Sequence, residues 1–102
     1  MPVRPPRYRA TWNDTLLADS DDVVVLEGNV YFPHESLQTD HVRPARSWSL
    51  CIWKGVARYN DVVVDGTVNR SAAWTYPHPT PLARKIKNRV AFWNGIDITA
   101  VR

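Results

Sequence analysis

Cysteine is almost missing from this chain of 102 residues: the single thiol, Cys51, excludes an intrachain disulfide framework and a cysteine-rich zinc site. Long apolar runs are missing too. None approaches the ~20 residues that a membrane helix needs, and the basic opening, residues 1–10, lacks the apolar stretch of a secretory signal. Glycine occurs four times, never in the Gly-x-x-x-x-Gly-Lys spacing that cradles a phosphate. The length holds one domain and no more. These absences lead to the expectation of a cytoplasmic domain with no membrane contact.

Charge and aromatic residues are unevenly spread. Seven acids (Asp14, Asp19, Asp21, Asp22, Glu27, Glu35 and Asp40) fall within residues 13–42, where there is no lysine or arginine. The rest of the chain carries all 13 bases and only three acids. The two halves either pack and partly neutralise each other or leave a basic face for anionic ligands. Five tryptophans are many for this length. Tryptophan mostly fills cores, so composition supports one or two at a ligand site and no more.

Pro2, Pro5 and Pro6 with Arg4 and Arg7 make residues 1–7 an extended arm, and the domain proper is expected over 8–102. Tyr8, Ala10 and Trp12 alternate with polar residues, Asn13-Asp14 turns, and Thr15 to Asp19 returns as a hairpin. Val23 to Leu26 reads as a buried strand, Gly28-Asn29 as a turn, and Val30 to Phe32 as a short strand stopped by Pro33. Residues 34–42 have room for one or two helical turns before Pro44. In 46–52, Arg46, Trp48, Leu50 and Ile52 form one face of a strand and Ser47, Ser49 and Cys51 a small polar one. Ala57 to Val64, a turn at Asp65-Gly66, and Thr67 to Asn69 form another hairpin, and Ala72 to Tyr76 is extended. A short helix is expected near 81–88, with Thr80 as its cap, Pro81 in its first turn and Leu82, Ala83 and Ile86 as its apolar stripe. Arg89 to Trp93, a turn at Asn94-Gly95, and Ile96 to Val101 complete the pattern. The fold class is mainly β: one compact antiparallel domain with one short helix.

Several phrases then stand in a fixed order. They are Trp12-Asn13, Leu17-Ala18-Asp19-Ser20, Leu26-Glu27-Gly28-Asn29-Val30-Tyr31-Phe32-Pro33, Cys51-Ile52-Trp53-Lys54-Gly55-Val56-Ala57, Ala72-Ala73-Trp74-Thr75-Tyr76-Pro77 and Arg89-Val90-Ala91-Phe92-Trp93-Asn94-Gly95. In that order the chain, from Tyr8 onward, resembles the bacterial and fungal family known as domain of unknown function 427. The resemblance implies a single β domain similar to Mss4-like, β-tent proteins, a group with zinc-binding and methionine sulfoxide reductase members. It implies no settled activity, although a nucleotidyltransferase label attaches to the family. Ile52 departs from the usual Cys-Pro-Trp/Tyr-Lys-Gly phrase. It can donate a ladder hydrogen bond where proline could not, which bears on the bend before Trp53 and on any role of Cys51.

The candidate catalytic residues are Glu27, Cys51 and Lys54. Glu27 follows four apolar residues and needs a donor, for which Lys54 and Arg89 are candidates. It reads either as half of a structural ion pair or as a polar anchor and general base. Cys51 reads first as a small strand hydrophobe, and as a nucleophile only where a cation stabilises its thiolate. Cys51, His34, His41 and His78 form no close ligand pair, so no metal is expected, and no cofactor. Asp19-Ser20-Asp21 is formally an Asp-x-Asp of the kind that holds magnesium in nucleotidyl transfer. The Arg4/Arg7/Arg9 arm and the Arg84/Lys85/Lys87/Arg89 run would suit nucleic acid, but the aromatics lie away from them and nucleic acid is not expected as a partner.

The reading that these residues favour is a small-molecule-binding β domain, with an enzyme of unknown reaction as its extension. Tyr31, Trp53, Lys54, Trp74, Tyr76 and Arg89 are the ligand-binding candidates, and core packing accounts for Trp12 and Trp93. This reading requires Glu27 and Lys54 to be close and not both fully exposed. The alternatives are a structural or protein-interaction module, acting through a sheet face, an edge strand or a homodimer, and a nucleotidyltransferase.

Overall fold

Four two-residue turns divide much of the chain. Asn13-Asp14, Glu27-Gly28, Asp65-Gly66 and Asn94-Gly95 each have two successive positive φ angles. Asn, Asp and Gly tolerate that geometry, and in the first three turns it matches the twist of the paired strands they join. A computed structural model describes residues 6–101. Among them lie nine strands: β1 (Arg7–Trp12), β2 (Thr15–Ser20), β3 (Val24–Leu26), β4 (Asn29–Tyr31), β5 (Val42–Cys51), β6 (Gly55–Val64), β7 (Thr67–Thr75), β8 (Val90–Phe92) and β9 (Asp97–Val101). The arm expected over 1–7 falls mostly outside the described residues, and Arg7 opens β1.

The architecture is mainly β. Three antiparallel sheets have the orders β2-β1-β9, β3-β4 and β5-β6-β7-β8. The four-stranded sheet is packed on both faces. On one, Val62, Val64, Ala73, Val90 and Phe92 meet Ala10, Leu17 and Ala18 of the β1–β2 hairpin. On the other, Ala57, Tyr76 and Ala91 meet Tyr31, Ala83 and Ile86. Alternation sends the consecutive residues Tyr31 and Phe32 into these two different cores. Phe32 exchanges two backbone hydrogen bonds of 2.8 Å with Val90, which clips the end of β4 to β8. Among the described residues no helix is long and apolar enough to cross a membrane.

The structure corrects the sequence reading in several places. The second turn is Glu27-Gly28, so that Asn29 already belongs to β4. Residues 34–42 hold two 3-10 helices, His34–Ser36 and Thr39–His41, and β5 begins at Val42. β7 is continuous through Arg70-Ser71, because a bulge absorbs the break: Ser71 takes φ 53 and its N–H donates to the Asp61 carboxylate at 2.9 Å. The helix expected near 81–88 is a 3-10 helix, Pro81–Ile86, broken at Ala83. With about three residues per turn, Ala83 and Ile86 align and are buried. Leu82 falls off that line and is 82% exposed. Thr80 does not cap it; its hydroxyl donates to the Trp53 carbonyl at 2.5 Å.

Of the two faces read in residues 46–52, the part from Trp48 on is present, with the apolar face turned to solvent, while Arg46 and Ser47 fall in a bulge. Trp48, Leu50 and Ile52 are 62%, 66% and 94% exposed. Ser49 and Cys51 share the inner side with Tyr59 and the apolar cluster around Tyr31. The register Ser49↔Ala57 and Cys51↔Gly55 fixes this choice. The aromatic rings on β6 and β7 already fill that inner side, and only small residues fit beside them.

At Gly55 an added Cβ would stand 3.2 Å from the His78 carbonyl oxygen, at φ +113. At Gly66, with φ +78, nothing lies within 4 Å. Gly55→Ala is therefore expected to lower the unfolding free energy by about 2–3 kcal/mol, and Gly66→Ala by only about 1 kcal/mol. Urea melts of the two variants check this; equal losses would show that the 77–80 loop yields freely.

Candidate functional site

The site forms where two turns meet. The β3–β4 turn carries Glu27, and residues 52–54, between β5 and β6, carry Trp53 and Lys54. β4 supplies Tyr31, and Tyr76 follows the end of β7. The loop after Tyr76 holds the second turn in place. The Lys54 carbonyl accepts the Thr80 N–H at 2.9 Å, the Trp53 carbonyl accepts the Thr80 hydroxyl, and Gly55 leaves room for the close approach. Pro77, Pro79 and Pro81 keep this loop extended.

Lys54 is 8% exposed, which is rare for lysine. Its Nζ donates to Glu27 Oε1 and stands 5.6 Å from the centre of the Trp53 ring and 5.5 Å from that of Tyr76. Glu27 itself remains about half exposed. Burial pulls the Lys54 pKa down, but the hydrogen bond to Glu27 and the nearby phenols of Tyr31 and Tyr76 outweigh it and leave the pKa raised. The Lys54 hydrogen bond holds the Glu27 carboxyl below its ordinary value against some desolvation, and the Lys54 charge and the Trp53 side chain add to the effect. Burial raises the Tyr76 phenol. The chemistry on offer is a fixed cation, an accessible carboxylate and two tyrosine hydroxyls beside an indole.

Glu27, Tyr31, Trp53, Lys54 and Tyr76 are thus brought together. Trp74 joins them: its indole N–H donates to the Tyr31 hydroxyl at 3.2 Å, and the two rings meet edge-on at 6.3 Å. Cys51 is half-buried and packs in the same apolar cluster as Tyr31 and Tyr76. Arg89 is engaged elsewhere. Its Nη1 donates to the Asp22 carbonyl at 2.6 Å and its Nη2 lies 3.5 Å from the Asp22 carboxylate. Of the two donors considered for Glu27, Lys54 is therefore the one in place.

The sequence reading missed the aromatic shelf beyond Trp74. Tyr59 and Trp93 each lie 6.5 Å from the Trp74 ring, and Trp93, expected in the core, is 52% exposed. The alternation of Ala57 with Tyr59 was a usable signal for the first; nothing local marked the second. A groove of about 660 Å³ lies on the other face of the sheet, with Asn60, Thr75 and Val90 in its wall, and none of the candidate residues lines it. Asp19 of the formal Asp-x-Asp is held by Arg7 at 2.5 Å and Arg9 at 3.1 Å. Among the described residues no three His, Cys, Asp or Glu side chains cluster as a metal site would.

The two pKa shifts set opposite edges to the pair. Glu27 is depressed, so its contribution to stability is present above the ordinary carboxylate value of 4.5 and disappears as pH falls through the lowered pKa. Lys54 is raised, so its contribution is present below the ordinary 10.5 and disappears as pH rises through the raised pKa. Glu27→Gln should lower Tm at neutral pH, and the gap to the natural chain should close below pH 4.5. A gap that stays constant into acid would mean that the contact is not ionic.

The family model described as "Domain of unknown function (DUF427)", whose short label marks it as a nucleotidyltransferase, matches residues 4–102. No curated protein matches the chain. With a match over nearly its whole length, the chain belongs to the domain of unknown function 427 family.

Proposed function

We propose that the domain binds a small molecule at the Glu27–Lys54 cluster, with Lys54 as the anchor for an anionic group. The observation that carries this reading is the asymmetry of the pair. Lys54 is buried and held by several groups, whereas Glu27 is half exposed and sits in a hairpin turn. A carboxylate or phosphate arriving from solvent can replace Glu27 on Lys54 without exposing the ammonium. Tyr31 and Tyr76 offer phenolic donors beside it, and the Trp53 indole offers a flat wall for the apolar part of the ligand. Glu27, once released, is free to take a proton or a cationic group of the same ligand.

The nucleotidyltransferase reading draws less support. Asp19, the first carboxylate of its motif, is already paired with two guanidinium groups.

A thermal-shift screen of anionic metabolites, with nucleotides with and without magnesium alongside, tests the proposal. A ligand present at 100 times its Kd adds about 2.7 kcal/mol, several degrees for a domain of this size. Lys54→Gln should abolish that shift while the chain still folds. A magnesium-dependent shift with a nucleoside triphosphate that survives Lys54→Gln would favour the transferase instead.

A further inference from the structure

Strand β5 turns its apolar side outward at the edge of the four-stranded sheet. By register, Trp48 pairs with Arg58 and Leu50 with Val56, so that these four side chains share one face, with Ile52 beyond them. All five are exposed, Ile52 almost completely. Arg46, within the bulge that precedes Trp48, is exposed as well. Among the described residues neither Arg46 nor Arg58 forms an ion pair. Among the described residues β5 pairs only with β6, and no strand pairs with its other edge. Pro44 and the bulge between Pro44 and Trp48 close the first part of that edge to pairing, but Trp48 to Cys51 form a regular ladder. An apolar row with cations at its margin, beside four residues of open strand edge, is an interaction surface.

We propose that this surface docks an extended acidic, apolar segment of a partner protein, which adds a strand beside Trp48–Cys51. On the outward side of that strand, apolar side chains cover Leu50, Ile52 and Val56, and a carboxylate beside Trp48 meets Arg58. Single-stranded nucleic acid would suit Trp48 and the arginines but leaves Leu50, Ile52 and Val56 facing a phosphate backbone. The surface lies on the opposite side of the sheet from Lys54, and the inference does not depend on that site.

Fluorescence anisotropy tests it with a short labelled peptide in which every second residue is threonine and the residues between run from glutamate to valine, so that both share one face. The counterpart with lysine for glutamate, a peptide of the same composition in which glutamate and valine fall on opposite faces, and an oligothymidine serve as controls. The one-face acidic peptide is expected to bind, and both Arg58→Glu and Leu50→Glu should weaken it about tenfold or more with Tm unchanged. Lys54→Gln should leave it untouched. No binding of the one-face acidic peptide, or equal binding of the lysine or two-face peptide, overturns the proposal. Tighter binding of the oligothymidine, lost in Arg58→Glu, replaces it with a nucleic-acid face. A dimer in light scattering that Leu50→Glu dissociates replaces it with self-association.

Discussion

A lysine ammonium cannot be taken out of water alone; the charge needs an acceptor and polarisable neighbours. In this domain that demand ties together segments far apart in sequence. The β3–β4 turn brings the carboxylate, β4 and the end of β7 bring the phenols, and the turn between β5 and β6 brings the ammonium with its own indole. The backbone around Lys54 is fixed separately by Thr80, through a loop that three prolines keep extended. That loop leads into the 3-10 helix whose Ala83 and Ile86 complete the core beneath Tyr31 and Tyr76. Gly55 is the hinge of the arrangement, because any side chain there would meet the loop backbone. The contacts that hold the cation at Lys54 also leave one of its partners, Glu27, accessible.

Local chemistry made much of this legible. Paired residues that tolerate positive φ announce hairpins, and those at Asn13-Asp14 and Asp65-Gly66 stand where Asn, Asp and Gly imply; the turn at Asn94-Gly95 forms too, but it leads from β8 to β9 in another sheet and closes no hairpin. Glu27 behind an apolar run needed a donor, and that need alone narrowed the choice to Lys54 or Arg89. Which of the two it would be is a question of register between distant strands, and nothing near Glu27 encodes it. The same limit applies to β5. Alternation defines two faces for Trp48 to Ile52, but the rings on neighbouring strands decide which face is inside. Near residue 81 the sequence marks the start of a helix and not its pitch. A three-residue turn and a 3.6-residue turn bury Ala83 and Ile86 alike, and only the fate of Leu82 separates them.

The outward face of β5 and the inward lysine have one origin. The inner side of the β5–β6 hairpin is crowded by Tyr59, Trp74 and Tyr76, so only Ser49 and Cys51 fit opposite them on β5. With Ser49 and Cys51 inside, alternation turns Trp48 and Leu50 outward. The strand that frames the Lys54 site therefore presents Trp48 and Leu50 to solvent on its other side. Shielding them by reversing the strand would drive an indole into the space that Trp74 and Tyr59 occupy. The exposed row is a consequence of how the site is built, and a partner that covered it would stabilise the edge from which the Lys54 turn projects.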